Sequence, residues 1–249
     1  MNKDIKEKLK QGVILLIIVI AFGATLTVML KYKTEGETNM PFQLKKVFML
    51  SSAEATSKAE NPDNYKWNLD INQYNDIYIE FEKNLNYKKV SYIKSIKIEN
   101  IKITDPKIGK VYKYMPNSTE NKLFSYEENF LIQNSLTYNG SSQNNFKNLE
   151  ISNQGGTILF RIVNRNVSEY VSNEDDEVAY DGSLLKKTNV TVEDLKFEVN
   201  FDIIIKTETN TFGGNITLNL PCEGIEEKDV AESTIEDFSN VIFKRENTW

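Results

Sequence analysis

The sequence predicts an all-β fold, an antiparallel β-sandwich of Ig-like or jelly-roll-like kind, carried on an N-terminal transmembrane helix. Three observations predict it. Val13 to Leu30 is an apolar run without a charge, and from Phe42 onward apolar residues recur with a period of two. The longest such pair of runs, Leu195 to Ile205 and Ile216 to Leu220, is joined across Gly213-Gly214 and reads as a hairpin at the heart of the core.

The anchor comes first. A bilayer core takes about twenty apolar residues at helical rise, which the run supplies once Gly12 and the flanking lysine stems are counted. Lys3, Lys6, Lys8 and Lys10 precede it and only Lys31 and Lys33 follow, a bias that places the N-terminus in the cytoplasm and the bulk of the chain outside. The expected layout is a tail over 1–11, a transmembrane helix over 12–31, a short linker over 32–41 and an extracytoplasmic domain over 42–249. A cleaved signal is the rival, since Ala21-Phe22-Gly23 resembles a cleavage site. Leu26, Val28, Met29 and Leu30 prolong the apolar run past it and favour an uncleaved anchor. Gly23, Ala24 and Thr27 give the helix a small-residue face, which leaves a homodimer open.

Beyond the linker, Phe42 to Leu50 is a first strand and Ser51 to Asn64 a loop, its alanines suited to a short helix and Asn61-Pro62-Asp63 to a turn. Ile77, Ile79 and Phe81 alternate with polar residues. Ile96 and Ile98, then Ile101 and Ile103, do the same with a phase change at Glu99-Asn100, which predicts a bulge. Val111 to Met115 is a strand stopped by Pro116. Ser125 and Glu128 form a capping-box pattern that predicts a short helix through Phe130 and Leu131. Asn139 to Asn148 reads as a loop, Leu149 and Ile151 as a strand turned by Gln154-Gly155-Gly156 into Thr157 to Val163. The acidic stretch Glu223 to Asp237 suggests a helical turn at Thr234, and Val241-Ile242-Phe243 a last strand.

Composition narrows the chemistry. The chain has no histidine, which removes the commonest general base, the Ser-His and Cys-His nucleophile pairs and nearly all zinc sites. Its single cysteine, Cys222, allows no internal disulfide. Net charge is −6 overall; residues 1–33 carry +4, so residues 34–249 carry −10, which argues against nucleic acid or an anionic lipid surface as partner. Sequons at Asn117, Asn139, Asn166, Asn189 and Asn215 are about what an asparagine-rich chain holds by chance.

Four constellations could carry function. Ser91-x-x-Lys94 and Ser183-x-x-Lys186 have the spacing of a serine–lysine nucleophile, but Lys-Thr-Gly is absent and both are read as exposed strand residues. Asp175, Asp176, Glu177 and Asp181 gather hard oxygen ligands in one loop and are the only candidate calcium site; no other cofactor is expected. Tyr65 with Trp67, and Tyr112 with Tyr114, share strand faces and are the candidates for a binding surface, able to stack on sugar rings or anchor a protein. Paired carboxylates are the remaining acid–base device the composition permits.

Pro41-Phe42 running into Lys45-Lys46-Val47, Asn75-Asp76-Ile77-Tyr78, Glu82-Lys83-Asn84, Ile96-Lys97-Ile98-Glu99-Asn100 and Val241-Ile242-Phe243-Lys244-Arg245 resemble single-pass membrane-anchored proteins of low-GC Gram-positive bacteria, a group without an assigned activity. The resemblance implies location and architecture, and no site residue. The expectation is therefore a non-enzymatic binding or assembly subunit of the bacterial envelope with a protein or glycan partner. The alternatives are a carbohydrate-binding module and, further off, a carboxylate hydrolase.

Overall fold

A computed structural model describes residues 3–34, 40–57, 67–117, 123–143, 149–172, 182–228 and 230–246. Helix α1 spans Lys3–Thr34, and its stretch Lys10–Thr27 is long and apolar enough to cross a membrane, with mean hydropathy 1.9 and none of it buried. Its two threonines do not spoil that surface. The Thr25 and Thr27 hydroxyls donate to the carbonyls of Ala21 and Gly23, at 2.8 and 2.7 Å, and so present no unsatisfied donor.

The remainder is mostly strand: β1 (Phe42–Ser57), β2 (Asn68–Lys83), β3 (Ile93–Ile103), β4 (Lys110–Tyr114), β5 (Ser135–Ser141), β6 (Glu150–Ser152), β7 (Gly156–Val171), β8 (Phe197–Thr207), β9 (Thr211–Leu220), β10 (Val230–Ile235) and β11 (Lys244–Glu246). They form a five-stranded sheet, β10-β1-β2-β7-β4, and a six-stranded sheet, β11-β9-β8-β3-β5-β6, antiparallel except for β5 with β6. Inward residues of both sheets make one core. Ile77, Ile79 and Phe160 of the first meet Ile96, Phe201 and Ile203 of the second, with the Phe160 and Phe201 rings edge to face at 5.5 Å.

Bulges keep that core in phase. In β1 the inward set starts at Phe42 and continues at Val47, Met49 and Ala53, a change of parity made by the shift between Leu44 and Lys46. The bulge expected at Glu99-Asn100 is present: Asn100 takes a φ of 54° and the register against β8 shifts between Glu99 and Lys102. One polar seam interrupts the interior. The Ser51 hydroxyl donates to Asn75 Oδ1 at 2.7 Å and accepts the Cys222 N–H at 2.8 Å, while Gln73 Nε2 also donates to Asn75 Oδ1, at 2.6 Å.

Several expectations are corrected. The segment read as a loop from Ser51 is strand as far as Ser57, because Ser51 and Ala53 continue the inward period and pair with β2. The helix after Ser125 is a single 3-10 turn, Glu128–Phe130. Here the Phe130 carbonyl accepts Met115 N–H and Ile132 N–H donates to Lys113, so the segment pairs with β4 instead of coiling. Residues 139–141, read as loop, extend β5. The turn at Gln154-Gly155-Gly156 joins strands of different sheets and makes no hairpin. Phe197 to Leu220 does form a hairpin, but Leu195 ends a short helix before it, Gly213 and Gly214 lie inside β9, where the Phe243 ring covers Gly214, and the turn is Glu208 to Asn210. Thr234 is in β10, not a helical turn, and the last strand falls at Lys244–Glu246, one step beyond Phe243. Two short helices, α2 (Ser183–Lys187) and α3 (Val192–Leu195), were not expected; the Thr191–Asp194 capping box is the signal for the second.

Candidate binding surface

The two outer faces of the sandwich differ in kind. On the six-stranded sheet, Asn200, Asp202, Asn215 and Thr217 bond to one another across β8 and β9, and Asn100 reaches Asp202 Oδ2 at 2.8 Å: an amide ladder already occupied with itself. The five-stranded sheet instead carries aromatic and cationic groups. Strand alternation puts Tyr74 and Asp76 of β2, Arg161, Val163 and Arg165 of β7, and Tyr112 and Tyr114 of β4 on one face. Register then aligns them in rows, Asp76–Arg161–Tyr114 and Tyr74–Val163–Tyr112, with Arg165 beside Lys110 in the next row.

Arg161 is the fixed point of this face. Its Nε and Nη2 meet both oxygens of Asp76 at 2.5 and 2.7 Å, and its Nη1 donates to the Tyr126 hydroxyl at 2.7 Å. The Phe124 ring lies 4.3 Å from the guanidinium and Tyr74 5.3 Å. Burial alone would lower the Arg161 pKa, but the hydrogen bond and charge of Asp76 outweigh it and hold the group above its usual range. The clip also fastens the segment bearing Phe124 and Tyr126 down onto the sheet.

Arg165 is held differently. Its Nη2 donates to the Tyr114 hydroxyl at 2.6 Å, and the Tyr112, Tyr114 and Tyr126 rings stand 5.0, 5.4 and 5.8 Å from its carbon centre. Lys110 leans over the outer Tyr112 ring at 5.5 Å. A planar cation with donors to spare, a lysine and a half-exposed tyrosine ring therefore form one surface, suited to stacking on a ring and donating to anionic or hydroxylated groups. Burial pushes the Tyr74 phenol up to about 12 and raises those of Tyr126 and Tyr114, so all three are neutral donors and acceptors at neutral pH.

The structure divides the sequence candidates. Tyr112 and Tyr114 share this face, with ring centroids 6.5 Å apart, but Tyr114 is 1% exposed beneath the edge-on Tyr126 ring and supports the surface from below. Trp67 is 43% exposed at the far end of β2, where its backbone pairs with Ser172. Tyr65 and the acidic set Asp175, Asp176, Glu177 and Asp181 lie outside the described residues. Among the described residues no three acidic or cysteine side chains gather as a metal-binding group. Ser91 is buried just before β3 and Lys94 faces Glu208 at 3.7 Å. Ser183 opens α2, correcting the strand expected there, and Lys186 Nζ donates to Glu227 at 3.0 Å. A cleft of about 680 Å³ between the β8–β9 end and β10 is lined by Glu198, Glu223 and Glu232 together with Lys196.

Sequence reasoning missed Arg161, Arg165, Tyr74 and Tyr126. The two arginines had a signal, since Arg161, Val163 and Arg165 share the parity opposite to the apolar set Ile158, Phe160 and Ile162. Comparisons with protein-family models, with curated proteins and with solved structures find no match.

Proposed function

We propose that this chain is a single-pass membrane protein of the bacterial envelope, N-terminus in the cytoplasm, whose β-domain is a non-catalytic binding or assembly subunit outside the cell. The reading assigns contact with an envelope protein or glycan to the outer face of the five-stranded sheet. One observation carries it: a cation–aromatic array with open donors on one face, set against a self-satisfied amide ladder on the other, in a domain joined to a membrane-length helix. Sandwiches of Ig-like and jelly-roll-like kind commonly host binding sites on strand faces, which adds fold-level analogy and no ligand identity.

The test uses the detergent-solubilised full chain as bait for solubilised envelope proteins and, in parallel, for cell-wall glycan. Tyr112→Ala and Arg165→Ala are each expected to cut retention by roughly tenfold, the loss of about one aromatic or arginine anchor, with the unfolding transition nearly unmoved. Retention by both variants at the wild-type level would refute the assignment. A second reading, a hydrolase working through paired carboxylates, is favoured by the Glu198, Glu223 and Glu232 cleft. Glycan release abolished by Glu198→Gln or Glu232→Gln would decide for it.

A further inference from the structure

The end of the sandwich at which the chain arrives from its helix bears a loop both basic and apolar. α1 ends at Thr34 and Met40 is the next described residue, so the intervening chain reaches about 20 Å at full extension. At that end Phe42 pairs with Lys83. Asn84 ties the following loop to the entering chain, its N–H donating to Pro41 O at 3.0 Å and its Nδ2 to Met40 O at 2.9 Å. Loop 84–92 is thus fixed to the point of attachment. In it Leu85 is 95% and Val90 78% exposed, with exposed Lys83, Lys88 and Lys89 around them and Tyr87 half-buried between.

Residues 83–98 hold five lysines and no acid. Three nearby carboxylates are engaged: Glu80 with Lys45 and Lys46, Glu82 with Gln43 Nε2, Glu208 with Lys94. Lone leucines on surfaces need no explanation, but two large aliphatic side chains ringed by three lysines at a membrane-tethered end match an interfacial contact.

We propose that residues 83–90, the end of β2 and the loop after it, are a membrane-contact patch: Leu85, Val90 and Tyr87 enter the interface of the leaflet into which the helix runs, and Lys83, Lys88 and Lys89 meet anionic lipid headgroups. The proposal rests on α1 being the membrane anchor. The −10 carried by residues 34–249 repels the rest of the domain from the same headgroups, so the patch sets which end faces the bilayer. The domain then stands on this end. Its sixteen-residue strands β2 and β7 run about 50 Å away from it, leaving the Arg165–Tyr112 face and the Trp67 end accessible.

The experiment reconstitutes the full chain into phosphatidylcholine vesicles with or without phosphatidylglycerol. A polarity-sensitive dye is placed at Leu85→Cys, with Val171→Cys at the opposite end as the control; Cys222 is buried and stays unlabelled in the folded chain. Brominated lipid is expected to quench the dye at position 85 and not at 171, most strongly with phosphatidylglycerol. Lys→Glu at 83, 88 and 89 should weaken the contact roughly fivefold for each lysine lost. A position-85 dye as open to water as the position-171 dye, in protein that resists alkaline carbonate extraction, overturns the patch. Release by carbonate overturns the anchor reading, and the patch with it.

Discussion

Tyr138 shows at the residue scale how the sheets are tied. Its hydroxyl donates to the Leu159 carbonyl at 2.5 Å and accepts the Leu159 N–H at 3.2 Å. Leu159 lies on β7 beyond the last residue paired with β4, so these groups face an open sheet edge, and a tyrosine from the other sheet closes it. Burial accordingly pushes the Tyr138 phenol well above its ordinary pKa. Tyr138→Phe removes one oxygen and strands two backbone groups. The expected cost is about 1–3 kcal/mol, read as a lower urea midpoint at unchanged slope; an unmoved midpoint would mean that water serves the edge equally well. Such partnerships were illegible in the sequence. Tyr112 and Tyr114 could be placed on one face from spacing alone, whereas the Asp76–Arg161 pair joins residues that only strand register brings together.

At the scale of elements, period and bulge were readable and sheet membership was not. The run from Ile93 to Ile103 shows its phase change in the sequence because side-chain parity is local. Whether β6 continues into a hairpin or crosses to the other sheet depends on partners far along the chain, and Gly155-Gly156 looks the same in either case. Glycine meant close approach more often than turning. A Cβ on Gly140 of β5 would stand 1.9 Å from the Ile93 carbonyl oxygen, whereas one on Gly156 would meet the Ile151 side chain at 3.3 Å. Gly140→Ala is therefore expected to cost about 3 kcal/mol by forcing backbone apart, and Gly156→Ala distinctly less. Equal shifts in thermal midpoint for the two would contradict that account of the β3–β5 contact.

Over the whole molecule, titration follows the buried tyrosines. With no histidine, no imidazole titrates near neutrality. Tyr74 is held by burial at about 12, above its unfolded value near 10, so the native state keeps a proton that the unfolded chain gives up. That contribution is complete below pH 10 and is lost as pH rises from about 10 to 12, with Tyr114, Tyr126 and Tyr138 acting in the same direction. The expected result is a steep alkaline fall in stability in that window, with a further step in phenolate absorbance that coincides with unfolding as the buried phenols are released; an unfolding transition that brings no such step would oppose it. The helix and the two sheets were legible as a whole because hydropathy and alternation each act over many residues. The cation–aromatic face was not, being assembled from four separate stretches. The most direct test of that face is photo-cross-linking in intact source cells, with benzoylphenylalanine at Tyr112 and, for comparison, at Thr217 on the opposite outer face. Adducts to an envelope component from position 112 and few from 217 are expected; equal yields from both, or adducts to cytosolic proteins, would contradict the account.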